Sequence, residues 1–139
     1  MAPMDARRLA GLRTLADLPA AELDALAAVM NQVEIEADTE LITHRKDGHL
    51  VYFVAQGTAD VLTDAGEVAR TLGPGDVVGE IAILFTGQRT ATVIARTPMV
   101  LVGLFEFDFE LIRSRVPEFE LAMRRSAAER LGSDAQAAT

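Results

Sequence analysis

Between residues 33 and 105 the chain is cut into short apolar segments: VEIEA, ELITH, HLVYFVAQ, TADVLT, EVARTL, DVVG, TATVIA and PMVLVGLF. The stretches that separate them, DGH, QGT, TDAGE, LGPGD and RTP, have turn chemistry. Glycine supplies positive φ, proline pre-sets its own φ, and Asp or Thr side chains bond back to the backbone. Many short strands joined this tightly fold into a sandwich, roll or barrel. The expected core of the molecule is therefore an antiparallel β-roll.

Both flanks read as helical. In MDARRLAGLRTLAD, residues 4 to 17, Leu9, Leu12 and Leu15 form a weak helical stripe. A second helix is expected over about 20 to 30. Pro19 suits its first turn, Glu22 suits the positive end of its dipole, and Leu23, Leu26, Ala27 and Met30 share a face. After Phe105, EFDFELIRSRV reads as one helix that Pro117 ends. Pro117 can itself open the next helix, PEFELAMRRSAAERL, with Phe119, Met123, Ala127 and Leu131 on one side. The fold class is thus mainly β with flanking helices (α+β), a jelly-roll-like barrel between N-terminal helices and two C-terminal ones. Its divisions are a helical extension at 1–17, one domain at 18–131 and a small polar, flexible tail at 132–139.

Composition narrows the function. The 139 residues suffice for one domain with a real core, and half of them are apolar. There is no cysteine, which removes disulfides, thiolate chemistry and cysteine-ligated zinc. No apolar run approaches the ~18 residues of a membrane span, and the N-terminus has no export-signal pattern, so a cytoplasmic setting, or the cytoplasmic face of a membrane protein, is expected. The net charge of -8 argues against nucleic acid as the partner. Lys46 is the single lysine among 13 basic residues, so an anion site here must rely on arginine.

GEIAILFTGQRTATV, residues 79 to 93, places one carboxylate, Glu80, and one guanidinium, Arg89, in an otherwise apolar stretch. A buried charge is expensive unless something pairs with it. Gly79 lets the chain bend, and Glu80 to Leu84 has the length of one or two helical turns, whose first N–H groups lack intrahelical partners. Those donors attract an anion, and the small side chains of Gly79 and Ala82 let it approach. Arg89 returns beyond the TGQ turn as a planar fork of donors, and Thr90 adds a hydroxyl beside it. A phosphate fused to a ribose presents an anion and a hydroxyl together, the second suited to Glu80. The alternative is a structural ion pair between Arg89 and Glu80.

GEIAILFTGQRTATV resembles the phosphate-binding cassette of cyclic-nucleotide-binding domains, shared by catabolite-activator-type regulators, cyclic-nucleotide-gated channels and cyclic-nucleotide-dependent kinases. The positions that match are Gly79, Glu80, Ile81, Ala82, Arg89, Thr90 and Ala91. The resemblance implies that Arg89 binds the cyclic phosphate, Glu80 takes the ribose 2′-hydroxyl, and amides near Ile81 and Ala82 hold phosphate oxygens. It extends to YFVAQG at 52 to 57, LGPGDVVGE, the Phe109, Ile112, Pro117 spacing and AERL at 128 to 131. Two departures are Asp38 in a turn where Gly is usual, and Val77-Val78 where an aromatic often stands. Asp tolerates the left-handed conformation.

On this resemblance the chain is expected to be a regulatory module that binds a cyclic nucleotide and signals through its C-terminal helices to an effector domain or partner. The last of these helices is the candidate surface for a homodimer. Cyclic AMP is the expected ligand and cyclic GMP the alternative, because a hydroxyl such as Thr90 occurs in sensors of either kind. The rival reading is a non-catalytic interaction domain of the same fold that binds no nucleotide. Neither a Ser-His-acid set, a nucleophile elbow nor a phosphate-loop lysine is present, so no enzyme is expected. His44 and His49 lack the third histidine and the spacing of a metal site and read as turn residues. Tyr52, Phe53 and Phe85 read as core; Arg7, Arg8, Arg113, Arg115, Arg124 and Arg125 read as solvated. Arg124, Arg125 or Arg130 on the last helix is an alternative cap for the purine.

Overall fold

The apolar segments pair into two antiparallel sheets. The computed structural model describes residues 2–42, 50–79 and 91–137. Numbered in chain order, β1 (Ala2–Pro3), β2 (Asn31–Ile35), β9 (Met99–Phe105), β4 (Leu50–Gln56) and β7 (Val77–Val78) lie side by side in that sequence. The second sheet runs β3 (Glu40–Ile42), β8 (Thr92–Ala95), β5 (Ala59–Leu62) and β6 (Val68–Leu72). Asp38, in the turn before β3, has φ of +69°, the left-handed conformation its short side chain allows.

The central strands of the first sheet, β4 and β9, are buried on both faces, which explains their nearly continuous apolar sequences. Successive side chains alternate between faces. On β4, Val51 and Phe53 enter a core shared with the helices, while Val54 enters the interior of the roll. On β9, Val102 and Leu104 take the helical side, while Met99 and Leu101 take the roll side. The roll core is completed by Ala59, Val61, Leu72, Val78, Val93 and Ala95.

The helical stripe at residues 4 to 17 resolves into α1 (Ala6–Ala10) and a 3-10 turn (Arg13–Leu15). Asp5 caps α1, accepting from the Arg8 N–H at 2.8 Å, and Gly11 ends it. Leu9, Leu12 and Leu15 are all buried. The preceding β1 was not expected; Pro3 is tolerated there because β1 is an edge strand. The second helix is α2 (Ala20–Ala27).

Residues 106 to 116 do not form one helix. α3 (Glu106–Ile112) passes into a 3-10 turn (Arg113–Arg115), and Val116 leaves helical geometry at φ −129°, ψ 52°. A residue before proline is sterically pushed out of the α region, so the break falls one residue before Pro117. α4 (Pro117–Ala137) then continues past residue 131, where a tail was expected. Phe119, Met123 and Ala127 are buried along one stripe. The Phe119 ring sits 5.9 Å from Phe53 and 6.1 Å from Phe109, so α4 is seated on β4 and α3 together.

Candidate functional site

The cassette is entered through the LGPGD turn, which is fixed from three sides. The Asp76 carboxylate accepts from the Gly73 N–H at 2.7 Å, closing the turn on itself. Reciprocal backbone bonds tie the turn to β4: Gly75 N–H donates to Val54 O, and Val54 N–H to Asp76 O, both at 2.9 Å. From the N-terminal segment, the Thr14 hydroxyl donates to Gly75 O, and Arg13 reaches Asp76 at 3.4 Å. Arg13 is largely exposed, so that ion pair contributes little; the backbone bonds do the holding.

Val77 and Val78 follow, buried in the helical and roll cores respectively. Gly79 then turns the chain at φ +97°, a conformation glycine adopts without steric cost. The chain is next described at Ala91, whose side chain packs against the roll core that holds Val78. β8 begins one residue later. The structure thus brings Val78 and Ala91, which flank the cassette, to one interior. Glu80, Ile81, Ala82, Arg89 and Thr90 lie outside the described residues, as do Phe85, His44 and His49.

One residue of this interior was missed by the sequence reading. On β6, Leu72 faces Ala59, Thr71 faces Asp60, and Arg70 faces Val61. Directly opposed residues project to the same side of a sheet. Ala59, Val61 and Leu72 are roll-core residues, so Arg70 also stands on the inner face. Its Nε is buried and has no hydrogen-bond partner among the described residues. Asp60, on the outer face, accepts from Arg96 at 2.7 Å and Thr71 at 3.0 Å; the Arg96 bond is the main reason its carboxyl titrates below the usual range. The available signal was strand alternation in EVARTL, which pairs Arg70 with Leu72.

The C-terminal arginines are not all solvated. Arg113 forks onto Glu120, Nε to Oε1 at 2.6 Å and Nη2 to Oε2 at 2.8 Å, and lies over the Phe109 ring at 5.4 Å. Arg124 donates to the same Glu120 at 2.9 Å. These bonds, led by Arg113, lower the Glu120 carboxyl to about 2. Arg124 therefore has a protein partner, and the side chain of Arg130 lies outside the described residues. A cleft of about 480 Å³ beside β2 and β9 is lined by Glu34 and Glu36, which makes it a poor place for a phosphate. Among the described residues, no cluster of three metal-ligating side chains occurs.

Comparisons with known proteins agree with this frame. The family model for the cyclic nucleotide-binding domain matches residues 32–115. The Pycsar effector protein PaPycTIR of Pseudomonas aeruginosa is 37% identical over 107 residues, 76% of this chain and 34% of that protein. A cAMP-dependent protein kinase regulatory subunit of Yarrowia lipolytica is 37% identical over 98 residues, 69% of this chain and 26% of that protein. The regulatory domain of Toxoplasma gondii PKA, solved with cAMP, superposes with a TM-score of 0.70 at 30% identity, covering 86% of this chain and 45% of that one. The chain thus spans about a third or less of the two curated relatives.

Proposed function

The chain belongs to the cyclic nucleotide-binding domain family, and from that premise we propose that it is a sensor module whose ligand is a cyclic purine mononucleotide. The observation that carries the reading is the framed cassette. The segment with Glu80 and Arg89 leaves from Gly79, held at φ +97° behind two buried valines, and returns at Ala91 on the same roll core. In this reading Arg89 and the amides near Ile81 and Ala82 hold the phosphate, Glu80 accepts from the ribose 2′-hydroxyl, and Thr90 lies beside the ligand. Charge-assisted hydrogen bonds of ~1.5–3 kcal/mol each reach the ~8 kcal/mol of a micromolar sensor.

Binding becomes a signal only if the ligand prefers one helix arrangement to another. α4 carries the output: it is seated on β4 through Phe119 and Phe53, and β4 is bonded to the turn that leads into the cassette. On α3, Phe107 and Leu111 stand exposed one turn apart and offer an effector an apolar foothold. The module itself has no catalytic role.

The relatives named for cAMP make cyclic AMP the first nucleotide to titrate. Calorimetry is expected to show micromolar binding of a cyclic purine nucleotide to the native chain and none to Arg89→Leu, with an unchanged melting temperature. Equal affinity in the two proteins removes Arg89 from the site. A native chain that binds neither cyclic AMP nor cyclic GMP is an interaction domain instead.

A further inference from the structure

We propose that the open edge of β2, with the acidic groove beside it, takes an extended basic segment of a partner protein as an added β-strand. This surface lies on the opposite edge of the first sheet from β7, the strand that leads into the cassette, and its role goes beyond nucleotide sensing.

On one side, β9 pairs with β2 along its whole length, from Asn31 to Ile35. On the other, β1 pairs with Asn31 and Gln32 alone. Alternate residues of an antiparallel strand turn their N–H and C=O groups away from a given neighbour. Along Val33, Glu34 and Ile35, no strand among the described residues receives the groups turned away from β9. Such a row of backbone donors and acceptors is a template for another strand.

The side chains beside that edge select the occupant. Glu34 and Gln56 both stand opposite Val100, one from each neighbouring strand, so the three share a face of the sheet. Two residues further along β9 on that face, Val102 is buried beneath the helices, whereas Val100 is only half-buried. The helical layer stops short of this end and leaves the groove of about 480 Å³ that Glu34, Glu36 and Pro98 help to line. Both glutamates are exposed, and neither carboxylate has an ion-pair partner among the described residues. Asp60, Asp76, Glu110 and Glu120, by contrast, are each matched by an arginine. On the opposite face, Val33 and Ile35 pack against the roll core. A strand laid along β2 therefore fits best with Lys or Arg on its groove side and apolar residues on the other. A second copy of this chain is a poor occupant, because pairing β2 with itself sets Glu34 and Glu36 against their own copies. The net charge of -8 steers a basic partner towards the surface.

The test is an NMR titration of the full chain with the heptapeptide acetyl-TKVRVKT-amide, which carries its basic side chains on one face. The amide signals of Val33 to Ile35 are expected to shift and their hydrogen exchange to slow. Two versions of the peptide, N-methylated at one or the other alternate set of amides, separate strand addition from simple charge attraction. One of the two is expected to bind at least about tenfold more weakly than the parent, because its pairing edge is blocked. A peptide with Glu at every basic position is expected not to bind. Glu34→Lys combined with Glu36→Lys, both at exposed positions, is expected to weaken the basic peptide about tenfold or more and to leave the melting temperature unchanged. No shift at β2 with peptide at about 1 mM overturns the proposal. So does unchanged affinity of both methylated peptides, or equal binding of the acidic one. Sedimentation that shows the native chain dimerising through β2 overturns the choice of occupant. Should the double variant not fold, the acidic peptide on the native chain decides the charge preference. None of these outcomes alters the sensor reading, which the nucleotide titration tests separately.

Discussion

Gly57 and Gly66 hold similar backbone angles, φ +91° and +82°, under different constraints. A Cβ on Gly66 would meet nothing within 4 Å, whereas one on Gly57 would lie 2.4 Å from the Pro98 carbonyl oxygen and 2.8 Å from Met99 Cγ. Gly66→Ala should cost about 1 kcal/mol, the conformational penalty alone. Gly57→Ala should cost about 3 kcal/mol, because a backbone atom must also move. Urea denaturation of the two variants checks the difference; equal losses would show that the crowding at Gly57 relaxes freely. From the sequence both glycines read as turn residues and nothing more. Asp38 was legible because left-handed geometry depends on its own short side chain. The unmet donor of Arg70 was not, because its surroundings are set by which strand lies opposite.

The junction of α3 and α4 shows the same division between local and distant causes. Pro117 announced a helix start, and the break before it follows from local sterics. The sequence pattern could not reveal that Arg113, in the 3-10 turn, would fork onto Glu120 across that break. The fork ties the 3-10 turn to the first turn of α4. Glu120 titrates at about 2 against an ordinary 4.5, so its pairing stabilises the fold fully above 4.5 and ceases to as pH falls through 2. Glu120→Gln should lower stability at pH 7 by about 1–2 kcal/mol, allowing for the partly exposed Arg113. Denaturation curves compared from pH 7 to pH 2 should converge as Glu120 protonates; a constant gap would mean that charge is irrelevant there.

At the scale of the whole molecule, N- and C-terminal helices are joined by one buried carboxylate. Glu22 was expected to complement the start of its own helix, α2. Instead it is buried and accepts from the Phe119 N–H at 2.9 Å and the Glu118 N–H at 3.3 Å, capping α4 from a distance. Glu22→Ala should destabilise the chain by about 1–2 kcal/mol and speed amide exchange at Phe119, whereas Glu22→Gln, still an acceptor, should lose less. Equal effects from the two changes would mean that packing, not capping, explains the burial. The strand-and-helix order was largely visible in the sequence because alternation and turn residues are local codes. The frame of the cassette was visible for a related reason: the glycine that turns the chain at residue 79 and the start of β8 after Ala91 are set by local residue types. The division into two cores was not, since each wall depends on strands brought together from distant parts of the chain.

That division bears on the two valines that precede Gly79. Val77 belongs to one core and Val78 to the other. Sliding their strand by a single residue would exchange the two, presenting each side chain to the wrong compartment. The approach to the cassette is therefore locked in a single register by the two compartments it separates.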